Sequence, residues 1–431
     1  MLAGLALALG IFVSLILLDR PLVRGDGLAY YMWLEPIACQ LSFDLSSPAE
    51  RFAAVNEYQI FRSPSGAFAT AFPFGPAVLL APWYRLALLL PDATGVDHAH
   101  FAQYQADSFV RSFFVLLGSN AYVVLACLLS FKAAASVVGR AWPAAAAAFA
   151  LFWGTPLVYY GTVEPYMAHA IGTFLLALAL WLYTRPRVCW FWLGVALSLA
   201  ILVRWQLALL AIPIGVHLLW RRRWGEILRF GIGTLSLAWL VPLSWYRMFG
   251  QLLVVPAAVQ NSRPFLGVPV HALDVLFADE GGLFLWSPLT LVALGGLVAL
   301  WRKERRLAAV PLVAFLLQVL INGGVQDWAA GWTYGMRRLT ELYPLFVLGL
   351  AYLLAARGWL RWPVWVASAG LLAYTGVLLV AHLVYINYVA GHGASAWEEL
   401  GRWFGTLDNP RLTLQVIKEH YGPWAWVRPG P

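Results

Sequence analysis

The chain has 431 residues, of which 61% are hydrophobic and 12% charged, with a mean hydropathy of +0.71. An average soluble domain carries about 25% charged residues, so these values exclude a soluble globular protein and fit a polytopic membrane protein. The net charge of +8 does not point to nucleic acid, because the basic residues cluster in short loops, and three cysteines are too few for a disulfide framework.

The first apolar run, 2–18, has no basic leader and reads as a retained helix rather than a cleaved signal. Directly after it comes Arg24-Gly-Asp-Gly-Leu-Ala-Tyr-Tyr31. Glycines on both sides of Asp26 free the backbone to turn and present the carboxylate with little steric cover. Tyr30 and Tyr31 have amphipathic rings suited to the level of lipid headgroups. An isolated turn of this kind reads as a solvated aspartate. In the company of the clusters below, Asp26 reads as a reactive centre, with Glu35 nearby.

Residues 19–107 form the longest loop, and a structureless loop of that length is unusual in a compact fold. Asp26 to Leu41 has helical character, and Ser47-Pro48-Ala49-Glu50-Arg51-Phe52 reads as a capped helix start. Juxtamembrane helices are therefore expected here. The run 72–90 is interrupted by Pro73, Pro76, Pro82 and Arg85, so it reads as a half-buried or interfacial helix and not as a crossing.

Ten further runs are predicted to cross, at 108–131, 142–160, 166–184, 189–205, 206–220, 227–246, 283–301, 307–322, 340–357 and 363–386. The stretch 189–220 admits two readings, a tight helical hairpin or one long broken helix. The loops at 132–140, 185–187, 221–229, 302–306 and 357–361 hold clusters such as Arg221-Arg222-Arg223 and Arg302-Lys303, with Glu226 and Glu304 as their only acids. The positive-inside rule puts these loops and the N-terminus in the cytoplasm, and Asp26 outside. Residues 1–386 read as one transmembrane domain. The tail 387–431, with Trp397, Trp403, Trp424 and Trp426, reads as an interfacial segment without a soluble domain.

Two more clusters fall on the outer face. Tyr159-Tyr160-Gly-Thr-Val-Glu164-Pro-Tyr-Met-Ala-His169 lies at a short turn between runs. Glu164-Pro165 reads as a helix start, so Glu164 is either a second catalytic carboxylate or a helix-start charge. His169 is either a packing histidine or, with Tyr160, a substrate contact. The third cluster runs from Asp327 through Arg337-Arg338 and Glu341 to Pro344. Adjacent arginines on the face where topology needs none suit phosphate oxygens, or they pair with Asp327 or Glu341; one arginine can do each. Arg204, before Trp205-Gln206, is a further phosphate candidate. Asp279-Glu280 reads either as a divalent-cation contact or as a solvated loop pair. The scattered histidines His98, His100, His271 and His392 lack metal-ligand spacing. No Gly-rich phosphate loop, GxSxG or kinase-like motif occurs, which argues against nucleotide triphosphates as substrates.

The order and shared face of these motifs resemble the GT-C superfamily of integral membrane glycosyltransferases, close to the protein O-mannosyltransferase and aminoarabinose transferase group. The residues that carry it are Asp26-Gly-Leu-Ala-Tyr-Tyr31, Tyr159-Tyr160 with Glu164-Pro165, Leu202-Val-Arg204-Trp-Gln206, Gly282-Leu-Phe-Leu-Trp286 with Pro288, and Arg337-Arg338 with Glu341 and Pro344. The resemblance implies an all-α GT-C-like bundle of about eleven transmembrane helices with juxtamembrane helices in the first outer loop. It implies a polyprenyl-phosphate-linked sugar as donor, a lipid, glycan or protein acceptor, and transfer at the outer face of a bacterial inner membrane. Asp26 matches the catalytic aspartate, and Arg337 or Arg338 the arginine that holds the donor phosphate. Many relatives place a second acid beside that aspartate, whereas here its neighbours are glycines. The competing readings are a transporter or flippase of lipid-linked substrates, an O-antigen-ligase-like enzyme with a diphosphate-linked donor, and a structural assembly subunit. The glycosyltransferase reading requires Asp26 and the arginines to face each other across a space sized for a saccharide.

Overall fold

The computed structural model describes residues 1–51, 59–91, 108–262, 264–330, 334–356, 361–388 and 415. Among these the fold is almost entirely helical. It opens with α1 (Leu2–Leu18), α2 (Gly25–Tyr31), α3 (Ser46–Arg51), a small antiparallel hairpin β1 (Phe61–Arg62) and β2 (Phe68–Ala69), and α4 (Gly75–Ala87). Then come α5 (Phe109–Val138), α6 (Ala141–Trp153), α7 (Leu157–Thr162), α8 (His169–Tyr183), α9 (Trp190–Val203), α10 (Ala211–Trp220), α11 (Trp224–Ala238) and α12 (Leu240–Phe249). The chain closes through α13 (Pro256–Asn261), α14 (Ala272–Phe277), α15 (Leu283–Trp286), α16 (Leu289–Trp301), α17 (Arg305–Gly323), α18 (Tyr343–Leu354) and α19 (Arg361–Tyr388).

Among the described residues four helical stretches are long and apolar enough to cross a membrane: Phe109–Val138, Trp224–Phe249, Arg305–Gly323 and Trp362–Val384. The others are shorter apolar helices or are broken. Side-chain exposure supports the membrane assignment. On α1, Leu7, Ile11 and Leu15 are buried while Leu5, Leu9 and Phe12 are more than half exposed. Leu228, Ile232 and Leu235 repeat this on α11. Such apolar stripes are a liability in water and an ordinary surface in lipid.

Several expected spans differ from the observed helices for identifiable reasons. The run 142–160 is two helices, because Gly154-Thr155-Pro156 ends α6 and restarts the chain as α7. The run 283–301 breaks at Ser287-Pro288. The run 340–357 enters through a 3₁₀ turn, Arg337–Leu342, and its helix ends at Leu354. The stretch 189–220 breaks at Arg204, whose extended backbone leads from α9 into a 3₁₀ turn, Trp205–Leu210; α10 then returns, so that Trp190 and Arg221 line one cavity, but the two helices do not pack as a tight hairpin. The first long loop does hold short helices, α2 and α3. The segment 72–90 becomes helical only after Pro73, and α4 packs along α5 with Leu80 and Trp83 against Gly118. His98, His100, Arg357, His392 and the tail tryptophans lie outside the described residues.

Glycines let the helices touch. A Cβ on Gly194 of α9 would lie 2.4 Å from the Phe230 carbonyl oxygen of α11, and one on Gly233 of α11 would lie 2.2 Å from that of Phe191. A second seam joins α16 and α18, where a Cβ on Gly296 would lie 2.0 Å from the Gly349 oxygen, and one on Gly349 2.0 Å from that of Ala293. Small residues are the usual means by which apolar helices approach closely without a hydrophobic drive.

Candidate active site

A cavity of about 280 Å³ opens where α2, the lead-in to α4, the α9–α10 corner, α13, the end of α17 and the Arg337–Leu342 turn meet. Its charged lining is Asp26, Arg204, Asp327, Arg337 and Arg338, with His169 beside them. Neutral walls come from Phe72, Trp205, Val255, Phe265 and Ile321, and amides from Gln206, Gln260 and Asn322.

Asp26 reaches the cavity because the chain turns just before it. Arg24 is extended, and Gly25 has φ +54, a left-handed conformation that glycine takes without penalty. Gly27 serves packing instead, since a Cβ there would meet the Tyr166 Cβ at 3.1 Å. Asp26 then sits in the first turn of α2 and accepts a hydrogen bond from Arg337 Nη1 at 2.6 Å. The partners lie 311 positions apart and are 21% and 15% exposed. The expected gap between carboxylate and guanidinium is therefore closed; the two are in contact, and the free volume lies beside them. Burial works against the Arg337 charge, but Asp26, Tyr160 and Tyr30 together outweigh it and hold the guanidinium above its ordinary pKa.

The other arginines have separate partners. Arg338 Nη2 donates to Asp327 Oδ2 at 2.9 Å. Arg204 Nη1 donates to Glu341 Oε1 at 2.9 Å, and His169 Nδ1 lies 2.9 Å from the same oxygen. Arg204 Nη1 also lies 3.0 Å from His169 Nδ1, so the ring's tautomer decides whether Nδ1 donates to Glu341 or accepts from Arg204. Gln318 of α17 donates to the Gln206 carbonyl at 2.9 Å and pins the α9–α10 corner that carries Arg204.

Asp26, Tyr30, His169, Arg204, Arg337 and Arg338 thus line one cavity, in keeping with their expected place on one face. The remaining candidates do not line it. Glu341 is 1% exposed beneath Arg204 and His169 and orients both. Tyr160 is fully buried, with its ring 4.6 Å from that of His169. Tyr31 is buried, wedged edge-on against Tyr84 and Tyr166. Tyr30 packs edge-on to Phe72, and burial, reinforced by Asp26 and opposed by Arg204 and Arg337, pushes its phenol up to about 12. Its hydroxyl stays protonated and able to donate.

Glu164 corrects both expectations for it. α8 begins at His169, so Glu164 lies in the turn before and caps no helix. Its Oε1 instead accepts from Arg24 Nε at 2.6 Å. Sequence reasoning missed Arg24, although a basic residue beside Asp26 on the acidic face was a visible signal. Glu35 pairs with Arg51 away from the cavity. Asp279 and Glu280 are exposed on a turn and do not line it. Among the described residues no group of three His, Cys, Asp or Glu side chains could hold a metal ion.

Gly172 of α8 supports the buried trio from behind, since a Cβ there would lie 2.7 Å from Glu341 Cγ. Gly172→Ala is expected to push Glu341 off Arg204 and His169 and to cost about 1–3 kcal/mol through overpacking. A thermal unfolding midpoint unchanged from wild type would show that the site absorbs the methyl.

No family model matches the chain, and no curated protein matches it. Two solved structures are similar to it. One is ArnT from Cupriavidus metallidurans bound to undecaprenyl phosphate, with a TM-score of 0.52 and 14% identity, covering 96% of this chain and 72% of that one. The other is the same protein in the apo state, with a TM-score of 0.52 and 12% identity, covering 97% and 76%. At this level of identity the likeness is one of fold: the chain shares the fold of these ArnT structures.

Proposed function

We propose that the protein is a membrane glycosyltransferase that moves a sugar from a polyprenyl-phosphate donor to an acceptor hydroxyl. One observation carries this reading: Asp26 shares a single cavity with Arg204, Arg337 and Arg338, although the four are scattered through the chain. ArnT, the structural neighbour solved with undecaprenyl phosphate, supports a lipid-phosphate ligand in this fold.

In the proposed reaction the acceptor hydroxyl attacks the anomeric carbon while Asp26 takes its proton. The glycosidic bond to phosphate breaks, and the lipid phosphate leaves with the electron pair. General-base assistance of this kind is worth roughly 10²–10⁴-fold. The guanidiniums face the charge that grows on the leaving phosphate. A single displacement inverts the sugar configuration. At rest Asp26 Oδ2 is occupied by Arg337 Nη1; donor phosphate competes for Arg337 and so releases the carboxylate. The neutral wall of Phe72, Trp205 and Phe265 suits the first isoprene units. The arginine-rich loops lie at the far ends of α9 and α17, which supports a cytoplasmic N-terminus and an outward-facing cavity in a bacterial inner membrane.

The test is donor titration in nanodiscs with a polyprenyl-phosphate sugar, followed by mass spectrometry of the glycolipids formed. Arg338→Ala is expected to weaken donor binding about tenfold, the loss of one charge-assisted phosphate contact. If both Arg337→Ala and Arg338→Ala bind donor as tightly as wild type, the phosphate assignment is wrong.

A further inference from the structure

A second basic cavity, of about 430 Å³, lies at the opposite rim of the bundle. It is bounded by the loop before α9, the end of α10, the start of α11 and the start of α17. Arg187, Arg221, Arg223, Arg229 and Arg306 line it, with Trp190 and His217. Two helices connect the rims. α9 begins at Trp190 in this cavity and ends beside Arg204 in the Asp26 cavity; α17 begins near Arg306 and reaches Ile321 and Asn322. At 1.5 Å per residue these spans separate the two cavities by roughly 20 Å, most of a hydrocarbon core.

The charge of this cavity is lopsided. Five guanidiniums face one carboxylate, Glu226, whose contact with Arg223 is a marginal 4.0 Å. Among the described residues Arg187, Arg221, Arg229 and Arg306 have no carboxylate partner. Topology alone accounts for basic residues in these loops, but not for their convergence on one concavity. Trp220 and Trp224 flank it and are 85% and 66% exposed. Indoles so placed mark the headgroup level. Guanidinium forks match phosphate oxygens, and a volume of this size admits more than one phosphate.

We propose that this cavity binds the headgroup of an anionic phospholipid bearing two phosphates, drawn from the leaflet opposite to the Asp26 cavity. Basic concavities between transmembrane helices on the cytoplasmic side are suited to such headgroups, whose phosphates each lie within reach of several arginines. The site shares no lining residue with the Asp26 cavity and stands whatever reaction occurs there.

The test uses the full-length protein, delipidated in neutral detergent, with cardiolipin, phosphatidylcholine and inorganic pyrophosphate as probes. Native mass spectrometry and thermal unfolding give the readouts. Cardiolipin is expected to be retained and to raise the unfolding midpoint, and phosphatidylcholine to do neither. Arg221→Gln and Arg229→Gln should each weaken retention roughly fivefold, the share of one juxtamembrane arginine. Arg221→Lys and Arg229→Lys, which keep the charge, should retain most of it and control for misfolding. Equal retention of cardiolipin and phosphatidylcholine overturns the proposal. So does cardiolipin binding that survives the folded glutamine variants. Pyrophosphate binding that matches cardiolipin and is lost in those variants also overturns it, by making this a soluble-anion site.

Discussion

Asp26→Asn is expected to lower single-turnover sugar transfer by about 10²–10⁴-fold, the range for loss of a positioned general base. The substitution keeps the shape of the side chain and leaves an amide oxygen to accept from Arg337. What it removes is the lone pair that takes the acceptor's proton. A stability cost is expected as well, because Asp26 and Arg337 are only 21% and 15% exposed and the amide leaves a mostly buried guanidinium without its counter-charge. Donor affinity should hold or improve, since Arg337 is then held less tightly and is freer to meet phosphate. A purified variant that turns over at near-native rate on a competent donor would remove Asp26 from the base role. A variant that loses donor binding instead of turnover would make it a ligand-positioning residue.

Glu341→Ala is expected to be the most destabilising single change at the site. Glu341 is 1% exposed and lies within hydrogen-bond reach of both Arg204 and His169. Removing it leaves a guanidinium, itself only 12% exposed, without its counter-ion. Breaking a buried pair from one side typically costs about 3–5 kcal/mol. Much of that is the penalty of the stranded charge rather than the worth of the pair. Arg204→Ala combined with Glu341→Ala should therefore be less damaging than the sum of the single changes, a coupling of about 1–3 kcal/mol in a double-mutant cycle. Additive losses in thermal unfolding would show that the two residues act independently and that the trio is not a unit.

Much of the site was legible because its residues break local rules. Asp26 lies between glycines at the end of an apolar run, and Arg337-Arg338 and Arg204 are cations on the face where topology needs none. Each such departure needs a reason, and a shared cavity supplies it. Ion-pair partnership was not legible. Nothing in local sequence joins Arg24 to Glu164, 140 positions away, or assigns Glu341 to Arg204 in preference to its near neighbour Arg338. Aromatic rings were misjudged for a related reason. Tyr31 suits a headgroup-level ring and Tyr160 a substrate contact, yet both are buried, and only packing decides that. The neutral walls, Phe72 to Pro73, Val255 with the short helix α13, and Phe265, come from segments with no chemical signature. Helix extents were legible wherever apolarity ran unbroken and failed at Gly154–Pro156 and Ser287-Pro288, where backbone punctuation overrides it.

The α16–α18 seam has a reach beyond its own contacts. With Gly296 and Gly349 pressed backbone to backbone, α18 has no slack against α16. The turn bearing Arg337, Arg338 and Glu341 runs directly into that helix. The seam therefore fixes how close α18 stands to α16. The footing of three charged groups rests on two residues that carry no side chain.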